Sequence, residues 1–203
     1  MQDEGRPAEV FILIVDDTHG DQPCALEVYA DSFTEEVPIY ENVNLIFVTG
    51  ESTQLKDLEN FLSQYPKVDT LLIEPLVDGE LTSSSEILNI ENVHLSESGQ
   101  FGPSLLSQFN GKTFDTYNSV FKEAELNLFI RKWMKSEGYH NLESVKIRLS
   151  PNSDLNRELI IDQLETEEFN PPTKSQQWYQ FDYKLLNVVS LSVDFSGYEC
   201  YDV

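Results

Sequence analysis

Positive charge is scarce in this chain. Of 203 residues only 13 are Lys or Arg, against 36 Asp or Glu, a formal net charge of −23. Affinity for phosphate backbones and acidic membranes comes mainly from Lys and Arg neutralising phosphates, so this balance argues against nucleic-acid and membrane-surface binding. Cysteine is scarcer still. Cys24 and Cys200 make neither a disulfide framework nor a thiolate metal motif, and a reducing compartment, cytoplasm or nucleus, is expected. There is no Asn-x-Ser/Thr acceptor. No apolar run approaches the roughly 18 residues of a membrane span; the longest, residues 10–15, has the length of a strand. The opening Met1-Gln2-Asp3-Glu4 has no cationic region, and no apolar stretch of h-region length follows, so no signal peptide is expected.

The usual signatures of chemistry are missing too. His19, His94 and His140 lack ligand spacing, and there is no Gly-x-Ser-x-Gly elbow, phosphate-binding glycine loop or Cys/His pairing. Residues 11–17, Phe-Ile-Leu-Ile-Val-Asp-Asp, imitate the first strand and acidic pair of a phosphorylation receiver. The imitation stops there: Ile73 runs into Glu74-Pro75, with no Asp at the strand end, and no Lys ends a suitable later strand. We therefore assign no catalytic, cofactor-binding or metal-binding residue and expect a non-enzymatic protein.

What the chain does have is a core and a rhythm. Its apolar fraction is 40% and its aromatic fraction 11%, enough for one compact domain. Residues 10–15, 25–29, 43–48, 68–73, 93–95 and 112–116 read as strands. Residues 54–65 read as a helix with Thr53 as N-cap, 104–108 as a short helix, and 156–164 as another. Strand-like segments centred near 45, 71, 94, 114 and 147 follow one another, the first four about 20–26 residues apart, within the leucine-rich-repeat range.

A longer repeat lies beneath the short one. Lys56–Tyr65 aligns with Ala124–Trp133 at a constant offset: Leu58 on Leu126, Phe61 on Phe129, Leu62 on Ile130, Tyr65 on Trp133. The same offset puts Leu45-Ile46 on Thr113-Phe114, and Leu71-x-Ile73 falls on Val145-x-Ile147 after an insertion. Units of this kind cannot bury their faces alone and must stack. The expected fold is α/β, a leucine-rich-repeat-like stack of strand–helix units. Strand-like segments at 178–183, 188–195 and 198–203, with the turn signal Ser196-Gly197, add an expected C-terminal antiparallel β meander.

On the second helix Leu126, Phe129, Ile130, Trp133 and Met134 form one apolar stripe, which places Trp133 inside or at the rim. Arg131, Lys132 and Lys135 lie off it, where cations oppose the negative end of the helix dipole. Four segments carry a resemblance: Leu105-Leu106; Asn118-Ser119-Val120-Phe121; Glu125-Leu126-Asn127-Leu128-Phe129-Ile130-Arg131-Lys132-Trp133; and Leu142-Glu143-Ser144-Val145-Lys146-Ile147. Together they resemble the nematode F-box-associated domain, type 2. The resemblance is densest over residues 104–149 and extends to Phe181-Asp182-Tyr183-Lys184 and Val193-Asp194-Phe195. It implies substrate recognition for an SCF-type ubiquitin ligase. There are two departures. Lys122 stands where the family has a capping Ser or Thr, which points to Ser119 as the cap of an earlier-starting helix. Residues 1–40 read as strands and loops, not as an F-box, so a Skp-type adaptor is an expected partner only if an F-box is supplied elsewhere.

The organisation expected is then 1–40, N-terminal strands and loops of the same domain; 41–165, the repeat-like α/β region; and 166–203, the C-terminal meander. The expected partner is a protein substrate. A leucine-rich-repeat-like binding module unrelated to ubiquitination is the alternative. Lys146 and Arg148 alternate with Val145, Ile147 and Leu149, so both point away from the core. They are the candidate partner-binding residues, with salt bridges to acids on neighbouring strands as the competing role.

Overall fold

A computed structural model describes residues 10–13, 24–34, 39–150, 153–164 and 190–194. Ten strands are present among them: β1 (Val10–Leu13), β2 (Cys24–Tyr29), β3 (Val43–Thr49), β4 (Ser52–Gln54), β5 (Thr70–Ile73), β6 (Leu76–Asp78), β7 (Asn92–Leu95), β8 (Thr113–Ser119), β9 (Ser144–Leu149) and β10 (Ser190–Asp194). Four helices join them: α1 (Leu55–Leu62), α2 (Phe101–Leu106), α3 (Glu123–Met134) and α4 (Arg157–Ile160), with 3₁₀ turns at Ala30–Thr34 and Glu86–Asn89.

Eight strands form one sheet in the order β1-β2-β3-β5-β7-β8-β9-β10, which is chain order once β4 and β6 are set aside as a separate parallel pair. Only β1 runs antiparallel, to β2; every later pairing in the large sheet is parallel. Two inward rows follow from the register. Leu26, Ile46, Leu71, Val93, Phe114 and Val145 stand side by side, each at most 1% exposed. Val28, Val48, Ile73, Leu95, Thr116 and Ile147 form the next row, at most 2% exposed. Burying each large apolar member contributes about 1.5–3 kcal/mol. The long repeat maps within these rows: Ile46 and Phe114 share one, as do Leu71 and Val145, and Ile73 and Ile147 share the other.

The repeated helices pack with equivalent residues. Leu58, Phe61 and Leu62 of α1 and Leu126, Phe129 and Ile130 of α3 are buried. Phe61 stacks on Phe33 at 4.7 Å and Phe129 meets Tyr139 edge-on at 4.8 Å. Tyr65 is 4% exposed, but Trp133 at the equivalent position is only half-buried, and Met134, expected on the stripe, is 47% exposed. α3 ends at Met134, so its last residues overhang the core.

Four local expectations are corrected. Thr53 is not a cap; it is buried in β4, paired with Val77, and α1 begins at Leu55. Ser119 does not cap α3 either. It is buried in β8, where its hydroxyl donates to the Arg148 carbonyl at 2.7 Å. α3 starts at Glu123, and the Lys122 N–H is satisfied by Glu125 Oε2 at 2.8 Å, so the N3 acid does its part without a capping hydroxyl. The helix expected over 156–164 is a single turn, Arg157–Ile160. At the C-terminus, the strand expected within 188–195 is β10. It lies parallel to β9, with Leu191 opposite Val145, and not in an antiparallel meander. The segments 178–183 and 198–203, the Ser196-Gly197 turn and the Asp16-Asp17 pair lie outside the described residues.

Candidate functional site

Alternation along the parallel strands turns a second set of rows outward. One of them crosses the sheet as Glu27, Phe47, Leu72, His94, Asp115 and Lys146, all half-buried. It starts acidic, passes over two apolar side chains, and ends in a charged group. Both candidate residues are on this face, as the pattern in 144–149 predicts: Val145, Ile147 and Leu149 are buried, and Lys146 and Arg148 are not.

Their surroundings differ. Arg148 Nη1 is 3.6 Å from Asp115 Oδ1, and its guanidinium carbon lies 3.9 Å from the centre of the Tyr117 ring. Its side chain is 20% exposed and that of Asp115 16%. Cation–π contact and a partly desolvated carboxylate hold it in place, so Arg148 is held by internal structure. Lys146 stands in register with the same Asp115 but makes no ion pair among the described residues. His94 approaches Asp115 from the other side, Nδ1 to Oδ2 at 3.7 Å. Asp115 is thus the acid at the centre of the cluster, between groups on β7 and β9.

Tyr117 follows Thr116 in register, which sets it beside Arg148, and the regular pairing of β8 ends just past it. Thr116 pairs with Ile147 and Ser119 with Leu149, so β8 carries one extra residue. Asn118, with φ 46°, absorbs it, and its amide donates to Glu97 Oε1 at 2.6 Å. Left-handed backbone suits Asn better than other side chains. Ser96, Glu97, Tyr117 and Asn118 line an open depression beside the cluster.

Asp115 and Tyr117 are the members that the sequence did not single out. Asp115 falls between Phe114 and Thr116 in a strand that reads as buried, and Tyr117 lies beyond the 112–116 strand read from the pattern. The extra residue in β8 leaves no clear signal except Asn118 itself.

On the other side of the chain, α3 holds a neighbouring segment. Asn127 Nδ2 donates to the Ile160 carbonyl at 2.7 Å and the Asp162 carbonyl at 3.0 Å. Arg131 Nη2 donates to the Asp162 carbonyl at 3.1 Å and Gln163 Oε1 at 3.3 Å. Glu123 Oε1 accepts the Asn156 N–H at 3.1 Å, which holds the Glu123 carboxyl below the usual carboxylate range. α3 therefore clasps residues 156–163 through its polar edge.

Residues 83–147 match the model of a protein family described as F-box associated. The match runs from the 3₁₀ turn at Glu86–Asn89 through β7, α2, β8 and α3 into β9. It includes Lys146 and ends one residue before Arg148. Comparison with curated proteins and with solved structures gave no match. Inside the F-box-associated segment, the polar motif residues are engaged by the chain itself. Asn118 absorbs the bulge, Ser119 binds a backbone carbonyl, Glu125 satisfies the helix start, and Asn127 and Arg131 form the clasp. Among the described residues no group of His, Cys, Asp and Glu could hold a metal ion, and no helix is long and apolar enough to cross a membrane.

Proposed function

We propose that this chain is a non-catalytic protein-interaction domain that recognises protein substrates for an SCF-type ubiquitin ligase in the cytoplasm or nucleus. One observation carries the reading: a segment matching an F-box associated family model supplies three adjacent parallel strands, β7, β8 and β9, of a sheet laid down in chain order. On this reading the strand–helix units stack in the leucine-rich-repeat manner, and the outward rows form the docking face. Phe47 and Leu72 offer apolar contact; Lys146, not engaged in an ion pair among the described residues, offers charge. Arg148 contributes to the face but is held by Asp115 and Tyr117.

A leucine-rich-repeat-like binding module unrelated to ubiquitination remains the second reading. It is favoured by the extent of the array, since β2, β3 and β5 precede the matched segment. The two part on adaptor contact: a Skp-type adaptor should co-purify with the full-length gene product under the first reading and not under the second.

The docking face is tested by single charge reversals. Lys146→Glu should leave stability within about 1 kcal/mol of wild type, as surface changes do, and alter the set of proteins captured. Arg148→Glu should lower stability, because a second carboxylate would face Asp115. An unchanged captured set with Lys146→Glu would remove this residue from the docking face.

A further inference from the structure

One step past the row of His94, Asp115 and Lys146, the outward side chains are Ser96, Tyr117 and Arg148. The open depression beside them measures about 350 Å³, within the ~300–1,000 Å³ of small-molecule sites and ample for one long side chain. Two strand ends build it. Ser96 and Glu97 follow β7, and Tyr117 and Asn118 lie at the end of β8. Most of the wall it exposes is apolar, and its only charged group is Glu97. The Asn118 amide, 2.6 Å from Oε1, holds that carboxylate in place and leaves Oε2 without a hydrogen bond among the described residues.

Charge around the depression is mostly of one sign. Glu74 follows β5 directly, one step along the row from Ser96, and is exposed. Neither Glu74 nor Glu97 makes an ion pair among the described residues. The cation of the row, Arg148, is already engaged by Asp115 and stands in register with a further acid, Asp194 of β10. Apolar surface continues past Glu97. Gly99 is flanked by Leu76, 48% exposed, and Val120, 41% exposed. Leu76 Cδ2 lies 3.4 Å from where a Gly99 Cβ would stand, and the Val120 N–H donates to the Gly99 carbonyl at 3.3 Å. The depression therefore combines a held carboxylate, an aromatic wall and an open apolar lip.

We infer that the depression receives an arginine or lysine side chain from an extended segment of a protein substrate, with an apolar residue of the same segment resting on Leu76 and Val120. The aliphatic stem lies along the Tyr117 ring, and the cationic head reaches the Glu97 carboxylate, with Glu74 adding to the attraction. An acidic head would face both glutamates, and the cation of the row is already taken up. The net charge of −23 draws a basic segment to the molecule from a distance, and the depression decides where it docks. The inference deepens the docking-face reading and rests on it for the nature of the partner, not on the link to a ligase.

The experiment is a selection of random 12-residue peptides displayed on phage against the immobilised full chain, followed by affinity measurements on the enriched peptides, synthesised and labelled. Enriched peptides should carry an Arg or Lys close to an apolar residue and bind more weakly as salt rises. Glu97→Gln keeps an acceptor for Asn118 and removes only the charge, so it should melt within about 2 °C of wild type. It should nevertheless lower affinity at least fivefold alone and at least tenfold together with Glu74→Gln. Glu137→Gln removes the same charge from the loop that enters β9, at the opposite end of the strands, and should leave affinity within twofold. No enrichment, enrichment of acidic or uncharged peptides, or equal losses with Glu137→Gln and Glu97→Gln would overturn the assignment, the last because net charge alone would then explain the binding. If Lys146→Glu alters the captured proteins while no basic peptide binds, this inference fails and the docking face stands. If basic peptides bind as described while Lys146→Glu changes nothing, the docking-face reading fails and the depression stands.

Discussion

Asn127 donates both amide hydrogens to backbone carbonyls across the clasp, so its replacement tests whether the clasp stabilises the fold. The Ile160 bond, at 2.7 Å, is partly buried; the Asp162 bond, at 3.0 Å, lies at the surface. A typical internal hydrogen bond contributes about 0.5–1.5 kcal/mol net. With one bond partly screened, Asn127→Ala should cost about 1–2 kcal/mol. Asn127→Asp should cost more at neutral pH, because a carboxylate would face two carbonyl oxygens where a donor stood. It should recover in part below about pH 4, where a protonated Asp can again donate. Urea melts measure the stability, and amide exchange localises it: residues 155–164 should lose protection first. If both variants melt within about 0.5 kcal/mol of wild type and exchange in that segment is unchanged, the clasp carries no stability. Asn127 would then have to be reconsidered as a contact for a partner.

Trp133→Ala should cost only about 1–2 kcal/mol, because the indole is half-buried, and Phe129→Ala, at 3% exposure, about 3–5 kcal/mol; denaturant melts that reverse this order would put Trp133 in the core. Burial pushes the Tyr139 phenol up to about 12 from an ordinary value of 10. A folded-state value raised in this way favours the protonated fold, so its contribution is complete below pH 10 and is lost as pH rises from 10 to 12. Tyr139→Phe should flatten that part of the stability–pH curve, and unchanged alkaline slopes in paired melts would refute the assignment.

The strand framework was legible because parallel strands covered by helices need apolar residues at alternate positions, and 43–48, 68–73 and 112–116 supply them in phase. The long repeat was legible for the same reason. Ile46 and Phe114 are different residues under one constraint, zero exposure in one inward row. What local pattern could not show was pairing. β4 and β6 have three residues each, too few for periodicity, so Thr53 looked like a cap when it was a strand residue. The Ser196-Gly197 signal speaks only of a turn. It does not say that the strand before it would add to the open edge of β9 in parallel, and the bonds that decide this lie far apart in sequence. Trp133 and Met134 kept the helical phase of Leu126 and Phe129, but phase gives direction and not depth. Where α3 runs past the core, the same stripe faces solvent.

The candidate site divides along the same line. Residues of the family motif carry a strong signal because the fold needs them: a left-handed Asn at the bulge, a hydroxyl for a buried carbonyl, an amide to hold 156–163. Arg148 reads the same way once Asp115 and Tyr117 are placed against it. Lys146 and Gly138 do not. Lys146 aligns with an acid that Arg148 already engages, and Gly138 leaves open a space that any side chain could enter without contact. Neither is required by an interaction among the described residues. A lysine on an outward strand is common enough for solubility alone to explain it. Gly138, whose φ lies outside the left-handed region and where an added Cβ would meet nothing within 4 Å, is not required by sterics. Glycine there raises the conformational entropy of the unfolded chain, and Gly138→Ala in this backbone should stabilise the fold by about 0.4–1 kcal/mol. A Gly138→Ala variant that melts below wild type would show instead that the backbone there needs glycine.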